Sequence, residues 1–185
     1  MAVLLGCDSR TQESFKSTDI TGADFGRDFS LADHNGAPKR LADYQGKIVV
    51  IFFGFTHCPD VCPTVLAQMA KMMKEIGPAQ GDRVQVLFVS VDPQRDKPEV
   101  LKGYVTAFHP SFVGLTGSEE AINKTAKEFK LVVMKTAETS PGNYSVDHST
   151  QTFVYDTKGR IRLFVSHSKI GEALAHDIAI LLKQG

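Results

Sequence analysis

Two cysteines, Cys58 and Cys62, stand four positions apart in the run Phe55-Thr-His-Cys-Pro-Asp-Val-Cys-Pro-Thr64. Thiolates bind soft metal ions and also exchange disulfides, so the pair is suited to either chemistry. Two cysteines on a proline-braced loop make poor core filler. A static bridge over only three intervening residues would remove little unfolded-chain entropy. A purely redox-active pair stays open beside a metal site. Pro59 and Pro63 push Cys58 and Cys62 toward extended backbone. Pro63 fits the first position of a helix, which puts Cys62 near the N-cap, where the positive end of the helix dipole favours thiolate over thiol.

The flanking elements explain how such a loop is held. Ile48 to Phe55 is a continuous apolar run, β-branched and aromatic, and reads as a strand buried on both faces. From Pro63 to Ile76 apolar residues fall at Val65, Leu66, Met69, Met72, Met73 and Ile76, which is helical spacing, and Gly77-Pro78 stops the helix. The cysteines therefore sit where a central strand turns into a helix, the place where open α/β sheets concentrate function. The three methionines lie on the apolar stripe and read as core.

The rest of the chain alternates in the same way. Phe29 to Leu41, with Asn35-Gly36 at its middle, reads as a short hairpin. Val84 to Val91 is a second buried strand ending at Asp92-Pro93, and Pro98 opens a helix with Val100, Leu101, Tyr104, Val105 and Phe108 on one face. Phe112 to Leu115 is short and extended, and Ser118 caps a helix reaching Phe129 with Glu119 and Glu120 in its first turn. Leu131 to Lys135 is a candidate strand, and Thr136 to Ser145 a loop. Thr152–Tyr155 and Ile161–Val165 form a hairpin around Asp156-Thr-Lys-Gly159. A last helix spans about Ile170 to Lys183, with Ile170, Leu174, Ile178 and Leu181 inward.

Lys plus Arg equals Asp plus Glu at 21 each, so charge does not point to nucleic acid or an anionic membrane surface. Hydrophobic content of 42% is ordinary for a globular protein, and no run is long enough to span a membrane. Residues 1–23 read as a flexible tether ahead of a monomeric domain at 24–185. Val3-Leu-Leu-Gly-Cys7 is similar to the end of a bacterial lipoprotein signal, with too few residues before it for the whole signal. The expectation is a truncated signal or anchor with Cys7 as a possible lipid attachment point.

The order strand, cysteine loop, helix, strand, helix, hairpin, helix is that of the thioredoxin-like α/β fold. It implies a central mixed β-sheet flanked by helices, here with an N-terminal β-hairpin extension. Three blocks make the resemblance specific. Gly54 to Thr64 is similar to the signature of the Sco/SenC family, copper-handling assembly factors for cytochrome c oxidase. Phe88-Val-Ser-Val-Asp-Pro-Gln-Arg-Asp-Lys-Pro-Glu99 resembles that family's second block, and Tyr144-Ser-Val-Asp-His-Ser149 its third. The similarity runs from about Asp24 to the C-terminus, with the blocks in order.

The resemblance implies that Cys58 and Cys62 are copper-binding thiolates and His148 the imidazole ligand. Soft thiolates select Cu(I), and an imidazole also admits Cu(II). It implies a metallochaperone that serves the binuclear copper site of cytochrome c oxidase subunit II, meeting other copper chaperones or thioredoxin-like reductants on the periplasmic side of the bacterial inner membrane. The membrane is touched only through the N-terminal anchor. The alternative is a thiol–disulfide oxidoreductase that uses Cys58 and Cys62 to keep cysteines of the oxidase subunit, or of other envelope proteins, reduced.

A thioredoxin would carry a cis-proline near the Ser145–Thr152 segment and a shorter cysteine spacing, and a glutathione-peroxidase-like site would carry tryptophan; all three are missing here. Peroxiredoxins share the Cys-Pro sequence as more distant relatives. His34, His57, His109, His167 and His176 read by default as surface or satisfied residues. His57 and Asp60 border the cysteines as exposed loop residues or as groups that tune the ligands. Asp92 is a residue that could reach the site or an ordinary strand terminator. His148 follows a loop of flexible composition, so it is expected to be the mobile ligand and the cysteines the fixed ones.

Overall fold

A computed structural model describes residues 13–136, 144–148 and 150–185. Ten strands run in chain order as β1 (Thr18–Asp19), β2 (Leu31–Asp33), β3 (Pro38–Lys39), β4 (Ile48–Gly54), β5 (Val84–Ser90), β6 (Val113–Thr116), β7 (Val133–Lys135), β8 (Val146–His148), β9 (Gln151–Tyr155) and β10 (Ile161–Ser166). Four helices are interleaved: α1 (Val61–Gly81), α2 (Pro98–Phe108), α3 (Glu119–Glu128) and α4 (Ile170–Gln184).

Eight strands form one sheet in the order β1-β10-β9-β4-β5-β6-β2-β3, and β7 pairs with β8 separately. Strands β4, β5 and β6 run parallel, whereas β9, β10, β1, β2 and β3 add antiparallel pairs at the two sides. Parallel neighbours need a crossover, and α1 and α2 supply it. All seven residues of β4 and all seven of β5 are buried, as their largely apolar composition leads one to expect, with Gln85 and Ser90 the two polar residues buried in β5.

Alternation along β4 divides the core. Ile48, Val50 and Phe52 pack with Leu66 and Met69 of α1, Leu101 and Val105 of α2, and Leu174 and Ile178 of α4. Val49, Ile51 and Phe53 face the other way, toward Ile122 of α3, Phe129, Phe153 and Tyr155. Each fully buried phenylalanine contributes on the order of 2 kcal/mol by leaving water. Met69, Met72 and Met73 are core residues, as their spacing requires.

Several local expectations shift. Helix α1 begins at Val61 with Asp60 as N-cap, so Pro63 occupies the third helical position. Proline is harmless there because none of the first four N–H groups has an intrahelical partner. Gly77 adopts φ 75°, ending the first segment, and a further turn continues through Pro78 to Gly81. On α2, Leu101 and Val105 are fully buried but Val100 is 44% exposed, one step off the apolar stripe.

Residues 13–23, read from sequence as part of the tether, lie against the folded chain. The amides of Lys16 and Ser17 donate to the Asp177 carboxylate at 2.8 and 2.9 Å, and β1 pairs with β10. Local pattern gave no sign of this because both partners lie near the other end of the chain. Cys7 is outside the described residues. So is most of the Thr136–Ser145 loop, but its base is formed: Val133 is in register with His148, and Thr136 N–H donates to Ser145 O at 2.9 Å.

Candidate functional site

The cysteine loop is built at the C-terminal end of β4. The Cys58 amide donates to Phe55 O at 3.2 Å, closing a turn directly after the strand, and Asp60 then caps α1 through its backbone, Thr64 N–H reaching Asp60 O at 3.2 Å. Cys62 lies in the first turn of α1 with no exposed surface, whereas Cys58 is half-buried. The Cys62 amide points at the Cys58 sulfur, N to Sγ 3.4 Å, so the two side chains share one small space and both are free thiols. Cys58 also packs against both halves of the apolar core.

The electrostatics correct one expectation. A position at the start of α1 does not make Cys62 a ready thiolate. Burial pushes its thiol well above the ordinary value, neighbouring Cys58 and Asp96 add to the rise, and a hydrogen bond from the Phe55 backbone opposes it only in part. Removing a charge from water outweighs the helix-end contribution. A soft cation arriving at Cys62 would therefore have to displace a proton, and would itself supply the positive charge that favours the thiolate.

Strand β5 delivers a second group of residues beside this loop. Asp92, Arg95 and Asp96 follow it in one tight turn, with Asp96 N–H donating to Asp92 O at 2.9 Å. The Asp96 carboxylate is fully buried. It accepts from Thr56 N–H at 3.0 Å, Thr56 Oγ1 at 2.6 Å and Ser90 Oγ at 2.6 Å. Burial raises its pKa above the ordinary carboxylate value, and these three donors offset the rise only in part. Thr56 sits two residues before Cys58, so Asp96 anchors the entry to the cysteine loop.

Asp92, also fully buried, accepts from Arg95 Nε and from the Tyr144 hydroxyl at 2.7 Å. Burial and the Asp92 carboxylate push the Tyr144 phenol up to about 12, so it stays a donor. Arg95 Nη1 donates to Tyr144 O at 2.8 Å, and its guanidinium lies 3.7 Å over the Tyr144 ring. Asp92 follows the end of β5, and its carboxylate is engaged by Arg95 and Tyr144. It is the buried anchor of the segment that leads into β8. Sequence reading passed over Thr56, Ser90, Arg95, Asp96 and Tyr144 as working parts. The signal available was two carboxylates and an arginine within five residues directly after a buried strand.

His148 is held by its backbone in β8, opposite Val133, on the hairpin whose base Tyr144 ties to this turn. Val146 of the same strand belongs to the apolar cluster that Cys58 touches. Among the described residues, no three His, Cys, Asp or Glu side chains gather into a metal-binding group. His57 and Asp60 are exposed, with His57 Nδ1 3.1 Å from Thr56 Oγ1. The remaining histidines have ordinary partners: His34 accepts from Gly114 N–H, His109 meets Ser111, His167 meets Thr150 and His176 meets Asp177.

A family model described as SCO1/SenC matches residues 17–183, nearly the whole described chain. The chain belongs to the SCO1/SenC family. Its fold is thioredoxin-like, as the fold of the Sco structures is. The solution structure of apo Sco1 from Thermus thermophilus is 42% identical, with a TM-score of 0.82, covering 95% of this chain and 99% of that one. The structure of Bradyrhizobium japonicum ScoI with copper bound is 33% identical, with a TM-score of 0.77, covering 87% and 99%. Among curated proteins, mitochondrial SCO2 of Saccharomyces cerevisiae is 37% identical over 136 residues, 73% of this chain but 45% of that protein. The chain spans about half the length of the curated relatives it matches first.

Proposed function

We propose that this Sco protein is a copper metallochaperone. It binds one copper ion through the thiolates of Cys58 and Cys62 and the imidazole of His148, and delivers it to the binuclear copper site of cytochrome c oxidase subunit II. The single observation that carries the reading is the joint anchoring of the cysteine loop and the His148 hairpin to one turn. Asp96 holds Thr56 beside the cysteines, and Asp92 holds Tyr144 four residues before His148. The copper-bound relative supports the choice of metal. Two thiolates suit Cu(I) and an added imidazole admits Cu(II), a range that suits a carrier.

On this reading the protein is a carrier and not an enzyme, and the copper-binding domain takes in residues 24–185 together with β1, which is part of the main sheet. It works on the periplasmic side of the inner membrane, held through its N-terminus, with Cys7 as the candidate acylation point. No helix among the described residues is long and apolar enough to cross a membrane.

The deciding experiment is a copper titration of the reduced protein with and without His148, read by absorption and spin resonance. The expected result is one copper per chain, with sulfur-to-Cu(II) charge-transfer bands and nitrogen coupling. His148→Ala should keep Cu(I) and weaken Cu(II) strongly, whereas Cys58→Ser or Cys62→Ser should lose both. An unchanged His148→Ala spectrum would remove the histidine from the ligand set.

One observation favours a second reading, a thiol–disulfide oxidoreductase. The Cys62 amide lies 3.4 Å from the Cys58 sulfur, so the two cysteines stand side by side, as thiol–disulfide exchange requires. Oxidation should join Cys58 to Cys62 and abolish tight copper binding. A bridge mapped to Cys7 by mass spectrometry would count against this pairing.

A further inference from the structure

Tyr144 is held at three points, and Arg95 has a part in each. The guanidinium donates from Nη1 to the Tyr144 carbonyl at 2.8 Å and covers the Tyr144 ring at 3.7 Å. Through Nε it fixes Asp92, the carboxylate that accepts the Tyr144 hydroxyl at 2.7 Å. The same guanidinium lies 5.9 Å from the ring of Phe55, the residue whose carbonyl receives the Cys58 amide. Its neighbour Asp96 holds Thr56 on the other side. Arg95 thus stands between the two chain segments that carry sulfur and nitrogen, and its side chain is only 15% exposed.

We infer that Arg95 is a positioning residue for copper in its oxidised state. It sets the distance between the Cys58/Cys62 loop and the strand that carries His148, without touching the metal. The inference rests on the ligand reading proposed above and deepens it. The hairpin is a ladder of three residue pairs outside the main sheet, and short ladders of this kind are only marginally stable alone. The side-chain clasp at Tyr144, together with Val133 and Val146 in the apolar cluster that Cys58 touches, ties it to the main fold. Cu(I) is satisfied by two thiolates, so it does not depend on that distance. Cu(II) needs the third ligand, so it does. Only arginine makes this clasp, because the planar fork offers stacking and two directed donors at once, whereas lysine is a single point charge.

The test uses the full chain in four forms: unaltered, Arg95→Met, His148→Ala and the double variant. The probes are Cu(I), competed against a chelator, and Cu(II), read by charge-transfer absorption and by nitrogen coupling in spin resonance. Groups that orient a metal ligand typically govern about 10–100-fold in affinity. Arg95→Met is therefore expected to weaken Cu(II) by about that factor and to erode the nitrogen coupling, with Cu(I) held within about threefold. The double variant should match His148→Ala, because without the histidine Arg95 has no ligand left to position. Arg95→Lys should restore only part of the loss.

If Arg95→Met weakens Cu(I) and Cu(II) by the same factor, or if its effect adds fully to that of His148→Ala, Arg95 serves the fold alone and the inference is overturned. If His148→Ala loses Cu(II) and Arg95→Met does not, the inference falls and the ligand reading stands. A silent His148→Ala overturns both. Loss of Arg95 leaves the Asp92 carboxylate buried without its cation. Should Arg95→Met fail to fold, Asp92→Asn/Arg95→Met removes that charge while keeping an acceptor for Tyr144, and the same four-way comparison decides the question.

Discussion

The Cys62 sulfur occupies the space that a Cβ on Gly54 would need: the two would lie 2.8 Å apart, with the Phe88 ring 2.7 Å away. Gly54 has ordinary backbone geometry, so its role is to leave room and not to make a turn. Gly54→Ala should cost about 1–3 kcal/mol by overpacking and lower the thermal midpoint by several degrees. It should also displace Cys62 and weaken copper binding in both oxidation states. Thermal unfolding combined with copper competition checks this, and unchanged copper affinity would show that the sulfur has another place to go.

The two cysteines should differ in reactivity. Cys58 is half-buried and Cys62 has no exposed surface. Alkylation of the reduced protein by iodoacetamide should modify Cys58 first, with Cys62 labelled at least about tenfold more slowly, because modification needs both access and thiolate. Peptide mapping over a time course reads the order directly. Equal labelling rates would contradict the burial of Cys62.

Removing the Asp96 carboxylate should loosen the cysteine loop. Asp96→Ala leaves the Thr56 amide and two hydroxyls without their buried acceptor, which should cost about 2–4 kcal/mol. Asp96→Asn keeps an acceptor and should be milder. Urea unfolding of the two variants gives the difference, and an equally small loss for both would mean the loop is held elsewhere.

Asp177 should make the attachment of the N-terminal segment acid-sensitive. It is fully buried, and although burial alone would raise its pKa, hydrogen bonds from Ser17, His176 and Lys16 bring it below the ordinary value of 3.8. A carboxylate with a lowered folded-state pKa adds stability that is complete above 3.8 and is lost as pH falls through the folded value. Asp177→Asn should lower stability at neutral pH by about 1–3 kcal/mol and flatten the acid limb of a stability-against-pH curve. A parallel acid limb in the variant would rule Asp177 out.

The sequence by itself determined most of the elements and their order, β1 and β8 being the exceptions. The short, β-branched and aromatic runs of β4 and β5 mark strands buried on both faces, and Ser118 caps α3 by accepting from Ala121 N–H at 3.1 Å, as its type and place foretold. The placement of Cys58 and Cys62 between a central strand and a helix was legible for the same reason: spacing and proline positions are local properties. Tertiary structure decided what surrounds them. Burial, with Cys58 and Asp96 beside it, favours the thiol at Cys62, although its helix position alone would favour thiolate. Asp177 holds Lys16 across 161 residues, and Arg95 clasps Tyr144 across 49, distances over which sequence carries no periodicity to read. Hydrogen bonds and burial depend on which atoms meet, and that is settled only when the sheet brings distant segments to one end.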